Sequence, residues 1–316
     1  MGWIIAKFTN LVLIKDPVTN THIPRFAPLI MKMLGVILGM SMILGSGIVG
    51  WAIAIAAAQV HFVLAIAVSS ILLAACFAGR SLRDAAESVL AVLQTGNLEN
   101  ARQELSRYVG RDTQDLTELE ILRAVLETVT ENAIDAVTSP LFYALIGSAL
   151  FDYGGVALAI AYKASSTLDS MVGYREAPYT DLGWFSAKTD DLLTWLPCRL
   201  TVLTLALLSG KPIYVWQICQ RDAKQDPSPN SGWSECVYAS ILQVQLGGEN
   251  RYRGLVKQKP LLGDAIEAIA PIKIQQAIRL TRICFLIWLS FGGFIAIIAP
   301  YFGGYVWIKN FAMQNF

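Results

Sequence analysis

MLGVILGM SMILGSGIVG WAIAIAAAQV HFVLAIAVSS ILLAACFAG, from Met33 to Gly79, contains no Asp, Glu, Lys or Arg. A helix rises about 1.5 Å per residue and a bilayer's hydrocarbon core is about 30 Å thick, so this run accommodates two membrane spans joined by a short turn. Gln59 and His61 mark the turn, which puts the spans near 33–56 and 60–79. A second uncharged run, Ile283 to Ile308, lies between Arg282 and Lys309 and carries Trp288, Tyr301, Tyr305 and Trp307. Amphipathic rings favour the membrane interface, so a third span is expected near 283–305.

The remaining chain agrees with a membrane protein. With 316 residues, 54% hydrophobic content and a mean hydropathy of +0.49, it is too apolar for an ordinary cytosolic enzyme. A formal charge of +1 gives no field to attract polyanions, so nucleic acid is not an expected partner. The five cysteines form no Cys-x-x-Cys pair and are read as reduced and buried. With only His22 and His61, zinc-hydrolase, haem and Ser-His-Asp schemes lack their imidazoles. The apolar first fifteen residues, with Lys7 and Lys15, read as an interfacial helix without the cleavage pattern of a removable signal.

Two further apolar stretches are interrupted. Leu141–Tyr162 contains Asp152 and Gly154-Gly155, so it is either a span or a hairpin folded around Phe151–Gly155. Leu192–Leu208 contains Pro197 and Arg199. Between these lie polar segments at 80–140, 163–191 and 220–270, and Lys and Arg crowd the first and last, which the positive-inside tendency assigns to the cytoplasm. Helices are expected from about Leu82 to Leu93, Leu98 to Val109, Leu116 to Val137 (Thr117 and Glu120 forming a capping box), and Ser234 to Leu246, the last ended by Gly247-Gly248. No period-2 strand pattern stands out. The expectation is a single all-α domain over 1–316, a polytopic membrane helical bundle with cytoplasmic helical segments.

Glu127, Glu131 and Asp135 recur at i, i+4 and i+8, on one helical stripe. Like charges so spaced repel by a few tenths of a kcal/mol per pair, and a hard divalent cation would reverse that cost. Oxygen ligands without imidazole point to Mg2+ and a phosphate-bearing substrate. A solvated acidic face is the plainer reading of a lone Glu-x-x-x-Glu pair, but here the helix runs straight into the apolar Pro140–Ala149 segment. Asn132 can orient a carboxyl or amide group. Lys163, Thr167, Asp169, Ser170, Tyr174, Arg175, Tyr179, Asp181, Lys188, Asp190 and Asp191 form the densest polar block. Either they pair with one another or they line a wet site. Pro227–Trp233 leads into a helix whose N-terminus could hold an anion, although ordinary capping explains Ser231 or Ser234 equally well.

Taken together, Val109–Asp112, Glu127–Asp135 with Pro140–Phe142, Tyr162-Lys163 with Thr167–Tyr174, Tyr179 with Gly183-Trp184 and Asp190-Asp191, Ser228–Trp233 and Leu246–Gly248 resemble the CbiB/CobD family of cobalamin biosynthesis, the membrane-associated adenosylcobinamide-phosphate synthases. The resemblance extends over about half the chain. It implies an ATP- and Mg2+-dependent amide ligation joining cobyric acid to (R)-1-amino-2-propanol or its phosphate, at the cytoplasmic face of a prokaryotic plasma membrane, possible partners being other cobalamin-assembly enzymes and membrane lipid. On this reading Glu127, Glu131 and Asp135 are metal ligands, while Glu131, Asn132, Asp169, Asp190 and Asp191 carry the chemistry as further ligands or base. Arg111, Asp112, Lys163 and Lys188 hold phosphates or acyl oxygen, Asn230, Ser231 and Gly232 bind a phosphate or a corrin amide, and Tyr174, Trp184 and Trp233 pack on the macrocycle. Two departures stand out: Ile23 separates His22 from Pro24, and Lys188 stands where the family more often has Arg. A transporter or channel is the rival reading, from Asp152 and Arg199 within apolar segments, and it predicts paired repeats that the sequence does not contain. A noncatalytic membrane subunit is the third.

Overall fold

The structure, a computed structural model, describes residues 1–15 and 21–298. Asp16-Pro17 and the far end of the last apolar run, with Tyr301, Tyr305 and Trp307, lie outside the described residues.

The chain opens with α1 (Gly2–Val12) and a short antiparallel pair, β1 (Leu13–Lys15) and β2 (His22–Pro24). The decisive uncharged run becomes α2 (Pro28–Val60) and α3 (Phe62–Ala74), broken at His61. The His61 backbone is extended there, and its Nδ1 accepts the Val63 N–H, capping α3. After a 42° bend, α4 (Gly79–Gln94) follows and buries Ala86, Val89, Leu90 and Leu93, the i, i+3, i+4, i+7 stripe of an amphipathic helix. Then come α5 (Leu98–Leu105), capped by Asn97, and α6 (Glu118–Ala133), where Thr117 and Glu120 form the capping box.

The helix expected to end near Val137 instead continues through a π-helical turn, Ile134–Thr138, into α7 (Ser139–Leu150). Pro140 is the physical reason. It has no N–H to give the Ala136 carbonyl, and its ring crowds that oxygen. The freed Ala136 carbonyl accepts the Ala78 N–H at 2.9 Å, which ties α4 to the break.

The interrupted apolar stretch is a hairpin. After α7 the chain turns at Phe151–Tyr153 and returns as α8 (Gly154–Val172), Tyr153 adopting φ +60°. Two glycines allow the close approach: a Cβ on Gly147 would lie 2.1 Å from the Gly154 carbonyl oxygen. Small residues also set α2 against its neighbours, since a Cβ on Gly35 would fall 2.1 Å from the Leu182 carbonyl oxygen. Asp152 sits in the hairpin turn, its carbonyl accepting the Trp51 indole N–H.

Next is α9 (Trp184–Leu208), unbroken despite Pro197. The Leu193 carbonyl, left without its i+4 donor, accepts the Tyr143 hydroxyl at 2.8 Å. Helices α10 (Pro212–Asp222) and α11 (Ser231–Leu242) follow, then β3 (Leu246–Tyr252) paired antiparallel with β4 (Leu255–Leu262), and finally α12 (Pro271–Ile298). Among the described residues, Pro28–Val60, Glu118–Leu150, Trp184–Leu208 and Pro271–Ile295 are long and apolar enough to cross a membrane. The fold is an all-α membrane-type bundle with two small hairpins.

Those hairpins correct the expectation of no strands. In β3–β4 only Leu246, Gly247, Asn250 and Leu262 are buried, so no alternating apolar face marks the sequence. Its two-residue turn is Arg253-Gly254, both with positive φ, in place of the familiar Asn-Gly signal. Helix α11 also differs from the expected Ser234–Leu246: it begins at Ser231 and stops at Gln243, which takes the left-handed conformation (φ +58°), while Gly247-Gly248 opens β3 at a register shift. The main core lies among α4, α5, α6, α9, α10, α11 and α12, with Leu105, Ile121, Leu126, Leu205, Cys236 and Tyr238 fully buried.

Candidate active site

Because α7 and α8 fold back on each other, the end of α6 and the π-helical turn meet Asp169 on α8 and Asp190 and Asp191 on α9. Glu131, Asp135, Asp169, Asp190 and Asp191 line one cleft of about 180 Å³, together with Thr194, Ser228, Asn230, Ser231 and Ser234. The π-helical turn carries Asp135, whose carboxylate accepts the Tyr162 hydroxyl at 3.2 Å; that hydroxyl is also 2.8 Å from Thr194 Oγ1. Tyr143 stacks on Tyr162 at 5.0 Å. Asp190 is buried, and its Oδ1 has no hydrogen-bond partner among the described residues. Asp169 is pushed up to about 6, first by burial and then by the charge of Asp191, with Arg175 opposing.

The far wall is the loop before α11. Asp226 accepts from the Ser228 N–H and the Ser231 hydroxyl, and Ser228 Oγ accepts from the N–H groups of Asn230 and Ser231. These N–H groups are therefore turned to the loop's own side chains, and Ser228, Asn230 and Ser231 face the cleft with side-chain groups. Asn230 is fixed from both ends: Arg199 donates to its Oδ1 at 3.0 Å, and its Nδ2 donates to the Asp191 carbonyl at 2.8 Å. Arg199 also donates to the Pro229 carbonyl and lies over the rings of Trp233 (4.8 Å) and Trp195 (5.2 Å). The arginine that suggested a transport path is thus the brace of this loop.

Some expected site residues lie elsewhere. Glu127 is fully buried and does not line the cleft. It pairs with Arg111, itself buried, and accepts the Gly247 N–H at 2.9 Å. Arg111 also donates to Asn250 at 2.8 Å, so both groups anchor the β3–β4 hairpin to α6. Asp112 accepts the N–H groups of Arg253 and Gly254 and so pins the hairpin's turn. Asn132 donates to the Thr128 carbonyl of its own helix. Trp233 is buried against Trp216 in the main core, and a Cβ on Gly232 would lie 2.6 Å from the Ala223 carbonyl oxygen, so both are packing positions. Trp184 and Lys188 are exposed on the first turns of α9; Tyr174 is exposed and donates to the Ser170 carbonyl. Lys163, half-buried on α8, is close enough to act on the charges of Asp135 and Asp190.

A family model described as CobD/Cbib protein matches residues 1–281. Cobalamin biosynthesis protein CobD of Synechocystis sp. is 55% identical over 268 residues, covering 85% of this chain and 78% of that protein. The protein of the same name from Halalkalibacterium halodurans is 44% identical over 246 residues, 75% of each chain. The chain belongs to the CobD/CbiB family. Cobalamin biosynthesis protein CbiB of Salmonella typhi is 40% identical over 236 residues, 73% of this chain and 72% of its own. No solved structure matches.

Within this CobD/CbiB chain, two cleft-side groups escaped the sequence reading. Glu235 is fully buried; burial pushes its carboxyl above the ordinary carboxylate range, and the charge of Lys259 opposes that. Lys259, on β4, donates to Glu235 Oε1 at 2.9 Å and lies 3.8 Å from Glu131 Oε2. An acidic residue inside an otherwise apolar helix was the available signal for Glu235. Nothing local marks Lys259, which the unforeseen hairpin delivers.

The donor set suits a hard divalent cation: five carboxylates in one cleft, no imidazole or thiolate, and one buried carboxylate oxygen left unsatisfied. Among the described residues, no three of them are already gathered at coordinating positions.

Proposed function

We propose that this protein is an amide ligase of cobalamin biosynthesis, joining cobyric acid to (R)-1-amino-2-propanol or its phosphate with ATP and Mg2+. The observation that carries the reading is the cleft itself, in which the α7–α8 hairpin brings Glu131 and Asp135 onto the same wall system as Asp169, Asp190 and Asp191. A carboxylate is a poor electrophile, so phosphoryl transfer from ATP activates it as an acyl phosphate; the amine then attacks the acyl carbon, phosphate leaves, and a base takes the amine's proton.

Glu131, Asp135, Asp190 and Asp191 would hold Mg2+, which would supply charge neutralisation for phosphate oxygens. Asp169, with its carboxyl raised toward neutrality, has the proton affinity to accept the amine's proton near pH 7. Lys163 and Lys188 border the carboxylates and provide cations for phosphate or acyl oxygens. Asn230 and Ser231 provide hydrogen bonds on the opposite wall. The corrin is too large for the cleft and rests outside it, and exposed Tyr174 and Trp184 are aromatic side chains available to pack on it. The site faces the cytoplasm, where ATP is, and the long apolar helices lie in the plasma membrane.

The test uses the detergent-purified protein with cobyric acid, ATP, Mg2+ and, in separate reactions, aminopropanol or its phosphate, with products followed by mass spectrometry. Formation of the amide, dependent on both ATP and Mg2+, is the expected result. Absence of amide with either amine would overturn the reading.

A further inference from the structure

Lys259 reaches two carboxylates of different kinds. Glu235 is fully inaccessible and holds the ammonium by a 2.9 Å hydrogen bond, while Glu131, whose side chain is 47% exposed, lines the cleft and lies at 3.8 Å, an ion-pair distance without a hydrogen bond. Lys259 is thus anchored on the core side and only loosely engaged on the cleft side. Its backbone is fixed as well: the Glu127, Arg111 and Arg123 side chains fasten the β3–β4 hairpin through Gly247, Glu249 and Asn250.

The charge balance around the cleft gives this arrangement a purpose. Five acidic residues line one small volume, and the buried Asp190 Oδ1 has no hydrogen-bond partner among the described residues. Uncompensated carboxylates that share one small cleft repel where water is scarce. Lys163 acts on Asp135 and Asp190, and Arg175 and Lys188 act on Asp191. Glu131 has Lys259.

We propose that Lys259 is the resident counter-cation of the cleft, a positioning residue that holds the Glu131 carboxylate before a divalent cation binds and yields it on binding, while Glu235 keeps the ammonium in place. The proposal rests on the metal-dependent reading above. The exchange needs no movement of the hairpin, because Lys259 keeps its stronger partner and only the looser 3.8 Å pairing is given up. It also sets the affinity: an ammonium beside the ligand set opposes the incoming cation, so the site releases metal more readily than its carboxylates alone would allow.

The test is Mn2+ binding, measured by electron paramagnetic resonance with Mg2+ competition, on the full chain in detergent. K259R keeps the charge and binds like the unsubstituted protein. K259M binds Mn2+ roughly tenfold tighter, as removal of a nearby unit charge predicts. Its melting temperature is lower without metal and recovers with saturating Mn2+, whereas a purely structural lysine would lower it equally in both conditions. K259M/E235Q removes the anchor carboxylate together with its cation and carries the same tighter binding if K259M alone does not fold. Unchanged or weaker binding in the folded variants overturns the proposal. A parent protein that binds no Mn2+ overturns the metal reading beneath it.

Discussion

Two carboxylates one helical turn apart do different work because of what surrounds them. Glu127 and Glu131 share a face of α6, yet Glu127 is sealed against Arg111 and the Gly247 N–H, while Glu131 opens into the cleft. Removing one partner of a buried ion pair strands the other charge, at a cost of about 3–5 kcal/mol. Glu127→Ala is therefore expected to lower the melting temperature sharply in detergent. Glu131→Gln is expected to leave melting nearly unchanged and to cut turnover by roughly 100-fold or more. A fully active Glu131→Gln protein would remove that residue from the mechanism.

At the level of elements, the α7–α8 hairpin assembles the site. Its contact is backbone on backbone at Gly147 and Gly154, so a methyl group has no room. Gly147→Ala is expected to cost about 1–3 kcal/mol, the usual range for overpacking, and to reduce turnover by splaying Asp135 from Asp169. Normal melting and normal turnover together would show that the hairpin tolerates separation. The capping box at Thr117 and Glu120, the break at His61 and the amphipathic stripe of α4 were legible in the sequence because each depends on residues within one or two turns. The β3–β4 hairpin was not, because its exposed faces carry no alternation and its turn is Arg253-Gly254. The π-helical turn had a readable cause in Pro140, but its consequence depends on the Ala78 N–H that accommodates the freed carbonyl.

For the whole molecule, the proposed single-sided site makes a topological prediction. All five cysteines are buried, so a cysteine placed on the surface should be labelled above a low background. Ser170→Cys and Lys224→Cys lie on the two blocks that meet at the cleft, and both positions are exposed. In oriented vesicles both should react with an impermeant maleimide from the same side; labelling from opposite sides would end the single-site proposal.

Composition and hydrophobic runs alone determined that this is an all-α membrane-type bundle, and the ordered motifs alone pointed to the CobD/CbiB family. Those signals are local, since the length of an uncharged helix and the residues of a motif are written consecutively. Which acidic residues share a cleft was decided only by the tertiary structure. Glu127 meets Gly247, Glu131 meets Lys259, and Asp135 shares a cleft with Asp169 and Asp190, across distances in sequence that no periodicity encodes. Burial then divides carboxylates of one stripe between an ion pair in the core and a wall of the site.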